Sequence, residues 1–107
     1  MRPSGEIHIL VVDDKQGSRE AMQKMIAKEG FRVSPAHDAE SAVQLYEKDP
    51  ADVVITDLRM PGMDGITLLK ELKRRIPETE VLLISGFGTV EAAVEAMREG
   101  ATDFILK

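Results

Sequence analysis

The sequence predicts an α/β fold built on a doubly wound, five-stranded parallel sheet, and two observations carry this prediction. Short apolar runs rich in β-branched residues alternate along the chain with amphipathic segments of helical period. The connections between them are short, and Gly, Pro and Asp mark their boundaries. Regular alternation of this kind is typical of a parallel sheet with right-handed crossovers and helices on both faces.

The apolar runs predict the strands, in the order βαβαβαβαβ. Residues 7–12, 53–55 and 81–84 are nearly continuous apolar segments, as expected of strands that are buried on both faces. Residues 31–33 and 104–106 are shorter runs that complete the alternation with helices.

The helices are predicted from apolar stripes at helical spacing, which we expect to face the core, with Met residues as filler. The four stripes are Ala21, Met22, Met25 and Ile26; Ala39, Ala42, Val43 and Tyr46; Leu68, Leu69, Leu72 and Ile76; and Val90, Ala93, Val94 and Met97. Suitable end residues accompany them: Asp38, Asp64 and Thr89 as N-caps, and Gly30 and Gly100 just past helix ends.

The length of the chain, 107 residues, predicts one domain over residues 1–107. The last residue, Lys107, falls at the end of the fifth strand, where a doubly wound sheet needs another helix. We therefore expect a piece of a longer protein, in which part of one sheet face is left uncovered.

Composition excludes several classes of function. With 14 basic and 19 acidic residues the net charge is -5, which disfavours direct nucleic-acid binding. There is no Cys for a disulfide or a thiolate metal site. The longest apolar stretch, residues 9–12, is too short to span a membrane, and the first residues do not resemble a signal peptide. These features predict a soluble, cytoplasmic protein with no membrane association.

Polar side chains close the predicted strands. Asp13 and Asp14 end the first run, Asp57 the third, Ser85 the fourth and Lys107 the fifth. Because the carboxyl ends of parallel strands share one edge, where ligands bind, we expect these groups to meet in one crevice.

Three carboxylates at one point repel each other unless a cation lies among them, and oxygen ligands without His or Cys favour Mg²⁺. A carboxylate that is free to react can then act as nucleophile toward a phosphoryl group, and Asp57 is the best candidate. Each residue alone has a plainer interpretation. Asp14 could cap the first helix, Asp57 and Ser85 could be turn residues, and Lys107 could simply be solvated.

Four separated motifs, taken together, resemble the receiver domain of bacterial two-component response regulators. They are the pair Asp13-Asp14, the run 57–65 (DLRMPGMDG), the segment Ile84-Ser85-Gly86 and the run 103–107 (DFILK). The resemblance implies a flavodoxin-like sheet with strand order 2-1-3-4-5, here lacking the last helix. Residues 85–104 are similar to receivers that control sigma-54-dependent transcriptional activators of the nitrogen-regulation type.

The resemblance also implies a role for each residue of the crevice. Asp57 matches the phosphoacceptor. Asp14, the Asp57 carboxylate and the Arg59 main-chain carbonyl match ligands of Mg²⁺, which Asp13 reaches largely through water. Ser85 and Lys107 match the hydroxyl and the cation that contact the phosphoryl group. Phe104 matches an aromatic rotamer switch, and Arg59 and Phe87 flank the pocket and are expected to tune hydrolysis.

The implied function is Mg²⁺-dependent phosphoryl transfer from a sensor histidine kinase to Asp57, which switches the surface of the fourth helix and fifth strand. Partners would be the kinase, an output domain or partner protein beyond Lys107, and a second copy of the chain in a homodimer. Two other classes of protein fit less well. A haloacid-dehalogenase phosphatase requires Asp where Arg59 stands, and a flavodoxin-like FMN carrier requires hydroxyls and glycines in place of Asp13-Asp14. The alternative that stays open is a receiver-like interaction module that is not phosphorylated.

Overall fold

The computed structural model describes residues 7–60, 62, 64–86 and 89–106. Its five strands form one parallel sheet in the order β2-β1-β3-β4-β5, which confirms the predicted fold class and strand order. The elements are β1 (His8–Val12), α1 (Gln16–Lys28), β2 (Arg32–Ala36), α2 (Ala39–Lys48), β3 (Val53–Asp57), α3 (Gly65–Arg75), β4 (Glu80–Ser85), α4 (Val90–Arg98) and β5 (Asp103–Leu106).

The main core lies between the sheet and the layer formed by α2, α3 and α4. The predicted stripes of α2 and α3 face this core: Ala42, Leu68 and Leu72 are completely buried. Alternate strand residues such as Val54 and Val81 meet them from the sheet. The periodicity therefore identified the buried faces of α2 and α3 correctly.

The opposite sheet face packs against α1 and is covered less completely. Ile55 and Ile84 point to this face and are only half-buried. The prediction that the α1 stripe fills the core is wrong, because α1 contributes no fully buried residue and Met25 is 66% exposed. Among the described residues α1 is the one helix on this face, and a helix in that position leaves the flanks of its stripe open to water.

The apolar stripe predicted for α4 was also expected to face the core, but its larger side chains lie on the outer face of the helix. Val90 and Val94 are exposed, Met97 is half exposed, and the buried side chain is Ala96, which is 0% exposed. An Ala on the inner face allows the helix to approach the sheet closely. Because both faces of α4 are apolar, periodicity alone could not distinguish the packed face from the outer one.

The ends of the helices follow the predicted capping chemistry. Asp38, Asp64 and Thr89 accept main-chain N–H bonds from Ser41 at 2.7 Å, Thr67 at 2.9 Å and Ala92 at 3.0 Å. Gly30 and Gly100 follow α1 and α4 with φ of 95° and 101°, values that favour glycine. Among the helices of the described ranges, none has the length and apolar character needed to cross a membrane.

Candidate functional site

The fold brings three carboxylates together at the carboxyl edge of the sheet. Oxygen atoms of Asp13, Asp14 and Asp57 all lie within 4.8 Å of one another. Asp13 directly follows β1. Asp57 is the last residue of β3, the strand that pairs with β1 in the sheet. Both are buried, with 3% and 7% of their surface exposed. The predicted convergence of these residues is therefore found in the structure.

Asp13 is held by hydrogen bonds to three residues, one at the end of β2 and two at the start of α1. Its main-chain N–H donates to the carbonyl of Ala36 at 3.1 Å, which ties it to the end of β2. Its Oδ1 accepts a hydrogen bond from the main-chain N–H of Lys15 at 3.0 Å, and its main-chain carbonyl accepts one from Nη1 of Arg19 at 2.9 Å. Sequence reasoning overlooked Lys15 and Arg19. The available signal was two basic residues at the start of the helix that follows the acidic pair.

Asp14 does not have the capping role considered for it. The first helix begins at Gln16, after Lys15 as N-cap residue, and it is Asp13 that accepts the N–H of Lys15. Oδ1 of Asp14 is buried and has no hydrogen-bond partner in the described part of the chain, and Nζ of Lys15 lies 4.0 Å from it. A buried carboxylate oxygen with a ligand position to spare fits a cation site.

The donor set fits Mg²⁺ by its chemistry. Three carboxylates supply hard oxygen atoms, and neither Cys nor His is in the cluster. An open cleft of about 460 Å³ lies beside Asp14 and gives access from solvent. Lys15, Arg59, Met60, Gly62 and Asp64 also line the cleft. Arg59, whose carbonyl was predicted as a ligand, is thus placed at the mouth of the site.

The remaining predicted residues lie on β4 and β5. Ser85 ends β4, one residue beyond Ile84, the partner of Asp57 in the sheet register, and is 1% exposed. Phe104 pairs with Leu83 and packs, half-buried, against the core. Lys107 and Phe87 lie outside the described residues.

Comparison with known proteins is consistent with this geometry. The family model described as the response regulator receiver domain matches residues 9–107. The chain is 40% identical over 99 residues to the regulatory protein AtoC of Escherichia coli (strain K12), a match that covers 92% of this chain. It is 38% identical to the C4-dicarboxylate transport transcriptional regulatory protein DctD of Rhizobium meliloti, again over 92% of this chain.

Solved structures give the same result. The receiver domain of NtrX from Brucella abortus is 40% identical, with a TM-score of 0.86 over 92% of this chain and 84% of that one. The chemotaxis protein CheY4 of Vibrio cholerae is 27% identical, with a TM-score of 0.90 over 95% of this chain and 87% of that one.

The matched region is only part of the curated relatives. The chain spans 22% of the length of AtoC and 22% of the length of DctD, so the activities of those whole proteins are not carried over with the fold. The family match covers nearly the whole chain from β1 onward and includes each strand that ends at the carboxylate site. The chain belongs to the response regulator receiver domain family.

Proposed function

We propose that this chain is a phosphoacceptor domain in which the Asp57 carboxylate receives a phosphoryl group from a sensor histidine kinase. The observation that carries the proposal is the meeting of Asp13, Asp14 and Asp57 within 4.8 Å at the end of adjacent strands. A carboxylate is a usable nucleophile toward phosphorus when neighbouring groups orient it and the charge of the incoming phosphoryl group is neutralised.

In the transfer step an oxygen of Asp57 attacks the phosphorus of phosphohistidine. The new P–O bond forms as the P–N bond breaks, and the imidazole leaves with the electron pair. With acetyl phosphate as donor, acetate leaves in the same way. Water later attacks the phosphorus of the acyl phosphate, which restores the Asp57 carboxylate and releases inorganic phosphate. The domain thus catalyses its own phosphorylation and dephosphorylation and is not an ordinary turnover enzyme.

Magnesium would be held by the carboxylates of Asp14 and Asp57 and the carbonyl of Arg59, with Asp13 reaching it largely through water. When bound, it supplies positive charge opposite the phosphoryl oxygens. The buried Oδ1 of Asp14 and the all-oxygen donor set support this assignment. A related protein of known structure also supports a Mg²⁺ site. The CheX-CheY-BeF₃-Mg²⁺ complex from Borrelia burgdorferi contains a chain 32% identical to this one, with a TM-score of 0.88.

Ser85, Phe104 and Lys107 would convert the modification into a signal. The Ser85 hydroxyl and the Lys107 ammonium contact the phosphoryl oxygens, because the group adds about 1.5 to 2 negative charges and new hydrogen-bond acceptors. As Ser85 and its loop move inward toward the group, the space behind Ser85 closes, Phe104 changes rotamer, and the surface of α4 and β5 changes. From the family resemblance we expect Arg59 and Phe87 to tune the rate of hydrolysis.

The wider context is proposed from the relatives. AtoC and DctD carry names of regulatory proteins and are several times longer than the matched region, which supports a transcriptional output domain beyond Lys107. The resemblance of residues 85–104 extends this proposal to sigma-54-dependent activators in the cytoplasm. A homodimer is a further partner that this surface could serve.

Intact-protein mass after incubation with Mg²⁺ and acetyl phosphate tests the proposal. We expect a gain of one phosphoryl group that is lost in Asp57→Asn and in the presence of a chelator. Asp49→Asn is the matched control, since Asp49 follows α2 and pairs with Arg32 at the start of β2, at the opposite edge of the sheet. Absence of the gain in a folded sample would instead favour an interaction module that is not phosphorylated.

A further inference from the structure

The main-chain carbonyl of Asp57 is in close contact with two neighbouring residues. The Oγ1 hydroxyl of Thr56 donates a hydrogen bond to this carbonyl at 3.0 Å, and Thr56 is completely buried. The second neighbour is Gly65, the first residue of α3. A Cβ atom on Gly65 would lie 2.4 Å from the carbonyl oxygen of Asp57, well inside van der Waals contact.

Glycine at position 65 is required for space and not for backbone conformation. Gly65 is not one of the glycines with positive φ. Its missing Cβ would also lie 2.8 Å from Cδ2 of Leu83 and 3.0 Å from Cα of Leu58. The main-chain N–H of Gly65 donates to the carbonyl of Leu58 at 2.8 Å. The first turn of α3 is therefore packed directly on the peptide unit that joins Asp57 to Leu58.

We propose that Gly65 and Thr56 are positioning residues for phosphoryl transfer, which hold the Asp57 peptide so that its carboxylate stays in line with the incoming phosphorus. This inference rests on the proposed phosphoacceptor function of Asp57. Neither residue touches the substrate. Their effect is exerted through the main chain of the nucleophile, which is fixed by a hydrogen bond from Thr56 and by the backbone of α3.

The opposite wall of the site does not depend on these two residues. Asp13 is bonded to Ala36, Lys15 and Arg19, which belong to other segments of the chain. A shift of the Asp57 peptide would thus move the nucleophile relative to the other carboxylates. A misplacement of about 1 Å at a reacting centre can slow a reaction roughly 100-fold.

A methyl group at position 65 forces such a shift. In Gly65→Ala the carbonyl oxygen of Asp57 must retreat by about 1 Å to restore a normal contact. The Leu83 side chain can rotate away, whereas the carbonyl belongs to the backbone. The double variant Gly65→Ala/Leu83→Ala removes the side-chain clash and keeps the backbone clash, so it reports the position of Asp57 separately from core packing. Leu83→Ala alone is its reference.

Thr56 permits a second test with only small changes in side-chain volume. Thr56→Val removes the hydroxyl that bonds the Asp57 carbonyl, and Thr56→Ser retains it. The glycine control is Gly17→Ala in α1, where an added Cβ meets no atom within 4 Å.

The experiment is the rate of phosphoryl gain from acetyl phosphate, followed by intact mass over a range of Mg²⁺ concentrations, with circular dichroism as the check of folding. We expect Gly65→Ala, and the double variant relative to Leu83→Ala, to be slower by about 30-fold or more at saturating Mg²⁺. The Mg²⁺ concentration at half-maximal rate should rise as well, because Asp57 is itself a proposed ligand, so the variants are compared at saturating Mg²⁺. Thr56→Val should be slower by about 3- to 10-fold, with recovery in Thr56→Ser, and Gly17→Ala should match the parent.

The outcomes test the positioning role separately from the proposed phosphoacceptor function. A folded Gly65→Ala protein that is phosphorylated at the parental rate would overturn the positioning role. If Gly65→Ala does not fold, a Thr56→Val protein with the parental rate overturns it, and a slow Thr56→Val protein rescued by Thr56→Ser supports it. A parent protein that gains no phosphoryl group would overturn the proposed function itself, and this inference with it.

Discussion

The carboxylates of Asp13 and Asp57 come within 4.8 Å of each other, although they end two different strands, and both are buried. Asp14 completes the cluster with a buried oxygen that has no hydrogen-bond partner among the described residues. Like charges at this separation oppose folding, and a bound cation relieves the repulsion. Under the proposed function, this loss of stability accompanies a site that can bind a metal ion and react with a phosphoryl group.

Asp14→Asn should have opposite effects on stability with and without Mg²⁺. Without the ion, the variant should have a higher Tm than the parent because one negative charge is gone. Mg²⁺ at 100 times its Kd should stabilise the parent by about 2.7 kcal/mol and should stabilise the variant much less. Calorimetry of both proteins with and without Mg²⁺ measures these changes in Tm. Equal Tm increases with Mg²⁺ in the two proteins would exclude Asp14 as a ligand.

Asp38 gives a prediction on the acid side. The N–H bond from Ser41 lowers the pKa of the Asp38 carboxyl in the folded protein. The folded state therefore binds fewer protons than the unfolded state in the range between the two pKa values. The stability from this cap is present above the ordinary pKa of an aspartate and is lost as the pH falls through the lowered one.

Asp38→Asn is the matched variant, because its amide oxygen can still cap α2 but does not titrate. Asp38→Ala should cost about 1 kcal/mol at neutral pH. Urea unfolding from neutral to acidic pH should show that the advantage of the parent over Asp38→Asn shrinks as the pH falls. A constant difference between the two proteins would mean that the Asp38 charge does not contribute.

The two faces of α4 should respond differently to substitution. Val94 is 44% exposed, so Val94→Ser should change the free energy of unfolding by no more than about 0.5 kcal/mol. Ala96 is completely buried, so Ala96→Leu should cost about 1 to 3 kcal/mol through overpacking. Denaturant unfolding of both variants provides the comparison. A larger loss in Val94→Ser than in Ala96→Leu would reverse the assignment of the packed face.

A buried hydroxyl pair links α2 to the loop before β4. The hydroxyls of Tyr46 and Thr79 are hydrogen-bonded to each other, and the two residues are 3% and 4% exposed. Tyr46→Phe leaves the Thr79 hydroxyl buried without this partner and should cost about 1 to 3 kcal/mol. The double variant Tyr46→Phe/Thr79→Val removes both groups and should be less destabilised than the sum of the single variants. Strict additivity in a double-mutant cycle would rule out a coupling between them.

The parts of the fold that sequence could predict are those with one dominant local signal. Asp64 before α3, the apolar stripe at Leu68 and Leu72, and the β-branched run of β3 each favour a single structure, and each was confirmed. The packed face of α4 had no such signal. Its stripe of larger apolar residues was the outer face, since the close approach to the sheet is made by Ala96.

In the candidate site, too, some residues could be predicted from the sequence and others could not. The acidic residues and Ser85 could be found because topology alone brings the ends of parallel strands to one edge. The groups that hold them could not be found in this way. The bonds from Arg19 to the Asp13 carbonyl and from Thr56 to the Asp57 carbonyl, and the contact of Gly65 with that carbonyl, depend on side-chain direction and interatomic distance. The pattern of hydrophobic residues in a sequence gives neither side-chain direction nor interatomic distance.

The chemical identity of the phosphorylated residue is the most direct test of the central claim. The protein should be treated with acetyl phosphate and Mg²⁺ and then reduced with borohydride, which converts an aspartyl phosphate to homoserine, and its peptides should be sequenced by mass spectrometry. The account predicts homoserine at position 57 only, and none when Mg²⁺ is chelated. Homoserine at Asp13 or Asp14, or an unmodified Asp57 in a protein that has gained a phosphoryl group, would contradict it.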